Sequence, residues 1–458
     1  QAKLLWYGNE GKANPVELTG YTSVNVTMGL EGKSNNCDIS LKTPSDYTDS
    51  SGNLLFMQGD IIKIFVKQEE SDVAIDTTAD TDLVMITIVQ EFNLMFSDKG
   101  AMMKLNCVDR TYHLLNKVWA NSYNDTAPNI IQNIINHVTE ADNGRYTINN
   151  KKYDISATLV SVGGSIQDTR PNSGGAFPTL KIGRVFKPIY EWITELSQPE
   201  STNSIAEIDS GVLKCKRAFQ FYVDENDKFH WYYPSSTVDY YLKEAKKRGD
   251  IYSDALTCLS EVTSVNLKKG VFDVVNFIIF SCGKDMYDIG ILDYYYDPTT
   301  ASSDFRMTYK EFPKQAAQLL MKEDYDNLSA ASRDNGGGTY LNPEFPTTYP
   351  YDPSFTPTTT YSTTVGTDAE YNSALREAAR VKGKMAAQAI TQKFGTLRYK
   401  GDITVKGVKI SPGSFIEITF ASLGIIALQL RVMDVKHNVS NSVWTTSLSV
   451  QEDEKDLG

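Results

Sequence analysis

The chain has 458 residues, of which 41% are hydrophobic and 22% charged. At about 150 residues per domain, that length is too great for one ordinary domain and gives about three. A net charge of −12 argues against a dedicated nucleic-acid-binding surface, which needs Lys and Arg for the phosphates; an acidic wall past which DNA slides without sticking is compatible with it.

Taken in chain order, the first stretch reads as β. Val24, Val26 and Met28 alternate with polar residues, as do Cys37, Ile39 and Leu41. Gly59-Asp60 opens a strand from Ile61 to Val66, Leu83 to Val89 is another apolar run, and Met103, Leu105 and Cys107 alternate again. Period-2 patterning punctuated by Gly, Asp and Ser is the mark of a small antiparallel barrel or sandwich. A helix follows: Asp125 or Thr126 can cap it, Pro128 sits in its first turn, and Ile130, Ile131, Ile134, Ile135 and Val138 share one face. After a Gly/Ser/Asn-rich loop from Gly163 to Gly175, a second helix opens after Pro188 with Ile189, Trp192, Ile193 and Leu196 on one face.

From Phe219 the chain returns to β. Phe219 to Val223 faces Lys228 to Tyr233 across Asp224-Glu225-Asn226-Asp227, a hairpin with a polar turn. Val262 to Leu267 and Val274 to Phe280 continue as strands. Thr, Pro, Tyr and Ser dominate 297–367, an extended excursion with a short helix near Lys314 to Asp324. A long helix then runs from Asp368 to Phe394, stopped by Gly395, with Leu375, Ala379, Ala386 and Ile390 as its buried stripe. Leu397 to Tyr399, Ile403 to Val408, Phe415 to Phe420, Gln429 to Val435 and Val443 to Val450 are strands.

The two β-regions echo each other. Gly59-Asp60-Ile61-Ile62-Lys63-Ile64 matches Gly413-Ser414-Phe415-Ile416-Glu417-Ile418, an offset of 354 (413 − 59). Val89-Gln90-Glu91-Phe92-Asn93 matches Val432-Met433-Asp434-Val435-Lys436, an offset of 343 (434 − 91). One longer connection in the first copy accounts for the difference.

Chemistry-bearing residues are sparse. His113, His137, His230 and His437 lie far from the cysteines, and Cys37, Cys107, Cys215, Cys258 and Cys282 show neither a C-x-x-C nor zinc spacing. Free, buried thiols made in a reducing cytoplasm are expected. Glu191 and Glu195 beside Trp192 are the best local pair for a glycosidase, and read better as a solvated acidic face. Gly163-Gly164 and Gly336-Gly337-Gly338 lack the context of a nucleotide loop. No catalytic residue, metal or cofactor is therefore expected. No run approaches 18 apolar residues, and Gln1 to Tyr7 lacks the apolar core of a signal peptide, so neither membrane insertion nor secretion is expected.

Four segments together carry a family resemblance: Gly59 to Ile64; Thr126-Ala127-Pro128-Asn129-Ile130-Ile131; the hairpin Phe221 to Asp224 with Lys228 to Trp231; and Arg431 to Ser440 with Trp444-Thr445-Thr446. In order and spacing they resemble the baseplate hub proteins of contractile-tailed phages, which are related to the base of type VI secretion spikes. The resemblance implies a non-enzymatic virion subunit assembled in the host cytoplasm. It implies a homotrimer in which two tube-like barrels per chain make a pseudo-sixfold ring around a channel. Tail tube and spike would be its partners, with wedge and tape-measure proteins as further ones, and no sequence-specific nucleic acid.

The expected fold class is α+β, β-dominated. Residues 1–110 form a first tube-like antiparallel barrel, 111–205 an α/β middle domain, and 206–285 the first part of a second barrel. An insertion over 286–395 holds the extended segment and the long helix; 396–452 completes the second barrel and 453–458 is a charged tail. Pairing across subunits is expected through Ile61, Ile62, Lys63 and Ile64, and through Phe415, Ile416, Glu417 and Ile418. A carbohydrate- or receptor-binding adhesin, suggested by the Tyr-rich composition and the Thr/Tyr/Pro stretch, is the alternative, and a cell-wall hydrolase a third.

Overall fold

The computed structural model describes residues 2–453 apart from 9–14, 31–34, 68–73, 78–80, 99, 140–146, 149–150, 153–165, 168–176, 203–216, 245–259, 271–273, 286, 297–306, 312–375, 377–378, 381–382, 385, 392–393, 396–397 and 441–442. Within these the chain is β-dominated with a few helices, an α+β fold.

Six strands form the N-terminal unit: β1 (Ala2–Gly8), β2 (Tyr21–Gly29), β3 (Asn36–Lys42), β4 (Ile61–Val66), β5 (Leu83–Ser97) and β6 (Gly100–Val108). Next come α1 (Thr111–Asn116), β7 (Val118–Thr126), α2 (Ala127–Thr139), β8 (Thr179–Pro188), α3 (Ile189–Leu196), β9 (Gln220–Val223) and β10 (Phe229–Tyr232). The remainder holds β11 (Tyr240–Glu244), β12 (Ser260–Lys269), β13 (Phe277–Lys284), β14 (Gly290–Tyr296), β15 (Met307–Glu311), β16 (Tyr399–Lys406), β17 (Phe415–Phe420), β18 (Ile425–Ser440) and β19 (Val443–Glu452).

A 13-stranded sheet organises the molecule. From the short strand Val16–Glu17 it runs β1-β4-β5-β6-β3-β2, and from β2 it crosses to β18-β17-β11-β12-β16-β19. Because β19 also pairs with β18, the second half closes into a six-strand barrel. The first half stays open: the outer edge of β2 is taken by β18 rather than β1. One apolar cluster runs through both halves, from Leu4, Val24, Ile39 and Ile62 to Ile403, Ile416, Val435 and Leu448.

The neighbour order of β4-β5-β6-β3-β2 recurs in β17-β18-β19-β16-β12, and so does the register. Ile61 opposes Ile88 as Phe415 opposes Arg431, at the offsets of 354 (415 − 61) and 343 (431 − 88). The β-bulge between Val89 and Glu91 recurs between Val432 and Asp434. A bulge displaces the inward set by one residue, so it breaks a strict period-2 reading at that point.

The middle of the chain has its own core. The antiparallel β7–β8 pair and α1–α3 bury Trp119, Ile130, Ile131, Ile134, Trp192 and Leu196. The hairpin β9–β10 adds Phe219, Phe221, Phe229 and Trp231 to that same core, with Phe219 and Trp231 stacked at 4.0 Å. Residues 206–285 thus do not act as one block: their hairpin belongs with the helices, β11 and β12 with the barrel, and β13 with a separate three-stranded sheet, β14-β13-β15. The aromatic face of the hairpin needs a large apolar partner, which α3 supplies.

That small sheet packs on the described residues between 376 and 394, which are helical, including buried Ala379 and Ala387. Gly383 sits so close that an added Cβ would lie 2.4 Å from the Cys282 sulfur. Most of the Thr/Tyr/Pro-rich segment, the helix expected at 314–324 and most of the Gly163–Gly175 loop lie outside the described residues; 307–311 is strand β15.

Candidate functional site: strand edges and the joint between the β-units

Among the described residues no group of three His, Cys, Asp or Glu could hold a metal ion, and no helix is long and apolar enough to cross a membrane. The side chains of His113 and His137, together with Cys215 and Cys258, lie outside the described residues. His230 is stacked on Tyr222 and bonds Asp224 Oδ2 at 2.8 Å. His437 is buried, with Nδ1 3.0 Å from Thr446 Oγ1. Cys37, Cys107 and Cys282 are free and buried; burial pushes the Cys107 thiol up to about 12. Such thiols are poor nucleophiles. Glu191 is exposed, and Glu195 is spoken for by Lys187, whose ammonium lies 4.4 Å above the Trp192 ring. Glu195 therefore ties α3 to β8. A cleft of about 600 Å³ lies beside Phe415, Leu428 and Asp453. Two of its charged lining residues are paired: Arg217 with Asp453 at 3.1 Å, and Asp453 also with Arg431 at 2.5 Å.

The polar turn of the β9–β10 hairpin touches both β-units. Glu225 pairs with Lys409 of the closed barrel at 2.6 Å, and Asp227 with Arg110, just after β6, at 3.2 Å. Asp227 sits at φ 61°, where Asp is better tolerated than most residues. Asp224 fixes the turn by accepting the N–H groups of Asn226 and Lys228, each at 2.9 Å. Burial pushes the Asp227 carboxyl up to about 6, against the opposing pull of Arg110. Nearby Asp109, which accepts from Asn35 at 2.6 Å and also from Thr111, is pushed up to about 7, again by burial. The junction thus concentrates carboxylates in a partly dry setting.

The strands that carry the expected interface residues are paired on both sides within the chain. Ile61, Ile62, Lys63 and Ile64 lie between β1 and β5; Phe415, Ile416, Glu417 and Ile418 lie between β17's neighbours, β11 and β18. Their backbone groups are engaged internally, so they carry the register of the sheet and not an open edge. Unfilled edges occur elsewhere. Past Ile88, β5 has β6 on one side and no strand on the other among the described residues. Beyond Val262, β12 has β16 on one side and no strand on the other among the described residues. Neither edge stands out in the sequence, because the signal is a partner's absence and not a residue pattern.

The outer part of β5 is also apolar where it faces solvent: Leu94 and Phe96 are 58% and 88% exposed. A second aromatic surface lies on the β14-β13-β15 sheet, where Leu292, Tyr294 and Tyr309 are exposed opposite the helix-covered face. Exposed apolar groups in contiguous runs mark interaction surfaces more often than chance placement.

No family model matches the chain, and no curated protein matches its sequence. Solved structures do match. A tail protein from Neisseria meningitidis MC58 aligns with a TM-score of 0.51 at 11% identity, covering 99% of this chain and 97% of that one. The 43 kDa tail protein of prophage MuSo2 from Shewanella oneidensis aligns with a TM-score of 0.50 at 10% identity, covering 98% and 97%. A looser likeness, TM-score 0.40 at 8% identity over 94% and 73%, is to the E. coli c3393 protein, described as a component of the type VI secretion system. Over nearly its whole length, then, the chain has the fold of phage tail proteins.

Proposed function

We propose that this chain is a structural subunit of a phage-type tail: the baseplate hub that joins tail tube to central spike. The observation that carries the reading is the internal repetition. Five strands recur with the same neighbour order, the same register and the same bulge, and the fold is that of tail proteins. Two tube-like β-units, the second a closed barrel and the first an open sheet, are proposed as copies of one ancestral domain. Three chains would then present six similar faces in one ring, letting a threefold spike mate with a sixfold tube. The bore passes the genome or the tape-measure protein, and the net charge of −12 keeps phosphates from adhering. Wedge proteins are the further partners, the virion baseplate is the place of action, and no catalytic step is assigned.

The test is the native mass of the purified protein by light scattering. A mass near three times 51.1 kDa, with rings of sixfold appearance in projection, supports the hub. A monomer at every concentration, alone and with tube or spike protein, sinks it. A second reading, a glycan- or receptor-binding adhesin, is favoured by exposed Tyr294 and Tyr309 on the β14-β13-β15 sheet. Glycan binding that Tyr294→Ala abolishes would select it.

A further inference from the structure

The joint between the two β-units is itself a template. In β18, the segment Asp434 to Ser440 runs past the end of β17 and pairs antiparallel with β2, from Asp434 opposite Gly29 to Ser440 opposite Ser23. Its equivalent in β5, at the offset of 343 (440 − 97), is Glu91 to Ser97, which runs past the end of β4 and has that same edge unfilled among the described residues.

The equivalent of β2 can be traced through the ladder. Cys107 and Val450 are equivalent at 343 (450 − 107). Cys107 opposes Cys37 and Val450 opposes Gly401. In turn Cys37 opposes Val26 and Gly401 opposes Leu267. Val26 and Leu267 are therefore equivalent, an offset of 241 (267 − 26), and β2 corresponds to β12. The segment Ser264 to Lys269 of β12 is the edge with no strand beyond it among the described residues.

Each unit thus has one extending strand and one receiving strand. Inside the chain, the second unit's extension fills the first unit's receiver. What is left over is the first unit's extension and the second unit's receiver, a complementary pair that one molecule does not join. The burial pattern agrees. Val435, His437 and Val439, facing inward in β18, are 0%, 1% and 1% exposed. Their equivalents Phe92, Leu94 and Phe96 are 36%, 58% and 88% exposed. Three positions built to be covered stand uncovered.

We propose that Glu91–Ser97 of one copy pairs antiparallel with Ser264–Lys269 of the next copy, in the register of the internal joint. Leu94 then lies opposite Leu267, Phe96 opposite Val265 and Phe92 opposite Lys269. Val265 and Leu267 already pack against the barrel core from their own side, so the pairing extends that core across the subunit boundary. Main-chain bonds of this kind give affinity and the alternate side chains give register. The contact is heterologous, and it closes on itself when the rotation per copy divides the circle.

The inference rests on the trimeric reading, and the test separates the two. Leu94→Cys with Leu267→Cys is treated with a short bismaleimide, beside each single variant and the register-shifted control Met95→Cys with Leu267→Cys. Covalent trimers from the first pair, and at least tenfold fewer from the controls, are expected. Phe96→Glu should lower the mass to that of a monomer with an unchanged circular dichroism spectrum, since Phe96 is 88% exposed in the single chain. Trimers that persist in Phe96→Glu, or a trimeric Leu94→Cys/Leu267→Cys protein that gives no covalent trimer, overturn the pairing and leave the hub reading standing. Wild-type protein that stays monomeric at the highest concentration reached, alone and with tube or spike protein, overturns the hub reading and the pairing with it.

Discussion

Gly59 and Gly413 make the same hydrogen bond in the two β-units: each donates its N–H, at 2.8 Å, to the carbonyl of Val89 and Val432 respectively. Both have positive φ, 95° and 85°. The bond is returned one residue later, Val89 to Asp60 and Val432 to Ser414. A left-handed residue lets the chain turn into β4 and β17 without losing these bonds, and glycine adopts it at no steric cost.

What surrounds Gly413 gives a first prediction. A Cβ at Gly413 would lie 2.0 Å from Tyr232 Oη. Gly413→Ala should therefore cost more than backbone strain alone, about 2–3 kcal/mol. Removing the hydroxyl in Gly413→Ala/Tyr232→Phe should restore part of that loss. Denaturant midpoints decide it; a double variant no more stable than Gly413→Ala would show that the hydroxyl is not the obstacle.

Ile62 and Ile416 are equivalent, both fully buried, and both in the one apolar cluster that spans the units. Truncating either to Ala should cost about 2–5 kcal/mol. Since the core is continuous, each variant should shift a single unfolding transition. Two resolved transitions, one per variant, would mean that the units unfold independently.

Much of this was legible in the sequence. The offsets of 354 and 343 come from residue types alone, since Gly-Asp/Ser before an alternating apolar run is a turn entering a half-buried strand. What was not legible has physical causes. β5 and β18 run to Ser97 and Ser440, well past their apolar starts, because a bulge shifts the inward set and because β18 finds its partner about 400 residues away. The hairpin at Gln220–Tyr232 was readable as a hairpin, yet its packing on α3 depends on tertiary contacts that no local pattern encodes. That β4 and β17 are paired on both sides within the chain was not legible either: an apolar strand is as apolar between two neighbours as at a border.

Asp227 provides a pH test of the junction. An unfolded Asp titrates near 3.8 and this one near 6. Between those values the fold holds a proton that the unfolded chain has released, so stability falls as pH rises through the window and levels off above it. Asp227→Asn has no proton to lose and suits the φ of 61°. Its stability relative to wild type should rise from pH 4 to pH 6 by up to about 1.4 kcal/mol per unit. A difference that stays flat with pH would place the titration elsewhere.

His437 titrates with the opposite sign, and it sits at the joint. Its partner across the sheet is Val26 of the other unit, and its ring is enclosed by Trp444 and Thr446. Burial, with Lys409 adding repulsion, lowers its pKa from 6.5 to about 3. Below 6.5 the unfolded chain takes up a proton that the folded ring refuses, so stability falls as pH drops from 6.5 toward 3. The slope is at most about 1.4 kcal/mol per unit for this one group. In His437→Gln the slope should shrink by that amount, so the advantage of wild type over the variant should be larger at pH 7 than at pH 4.5. Thermal unfolding of both proteins at the two values measures it. Because the ring is packed between β2 and β19, the acid-induced loss should appear first as faster amide exchange in Val24–Met28 and Val435–Val439; uniform exchange across the sheet would show that protonation weakens the whole fold and not the joint.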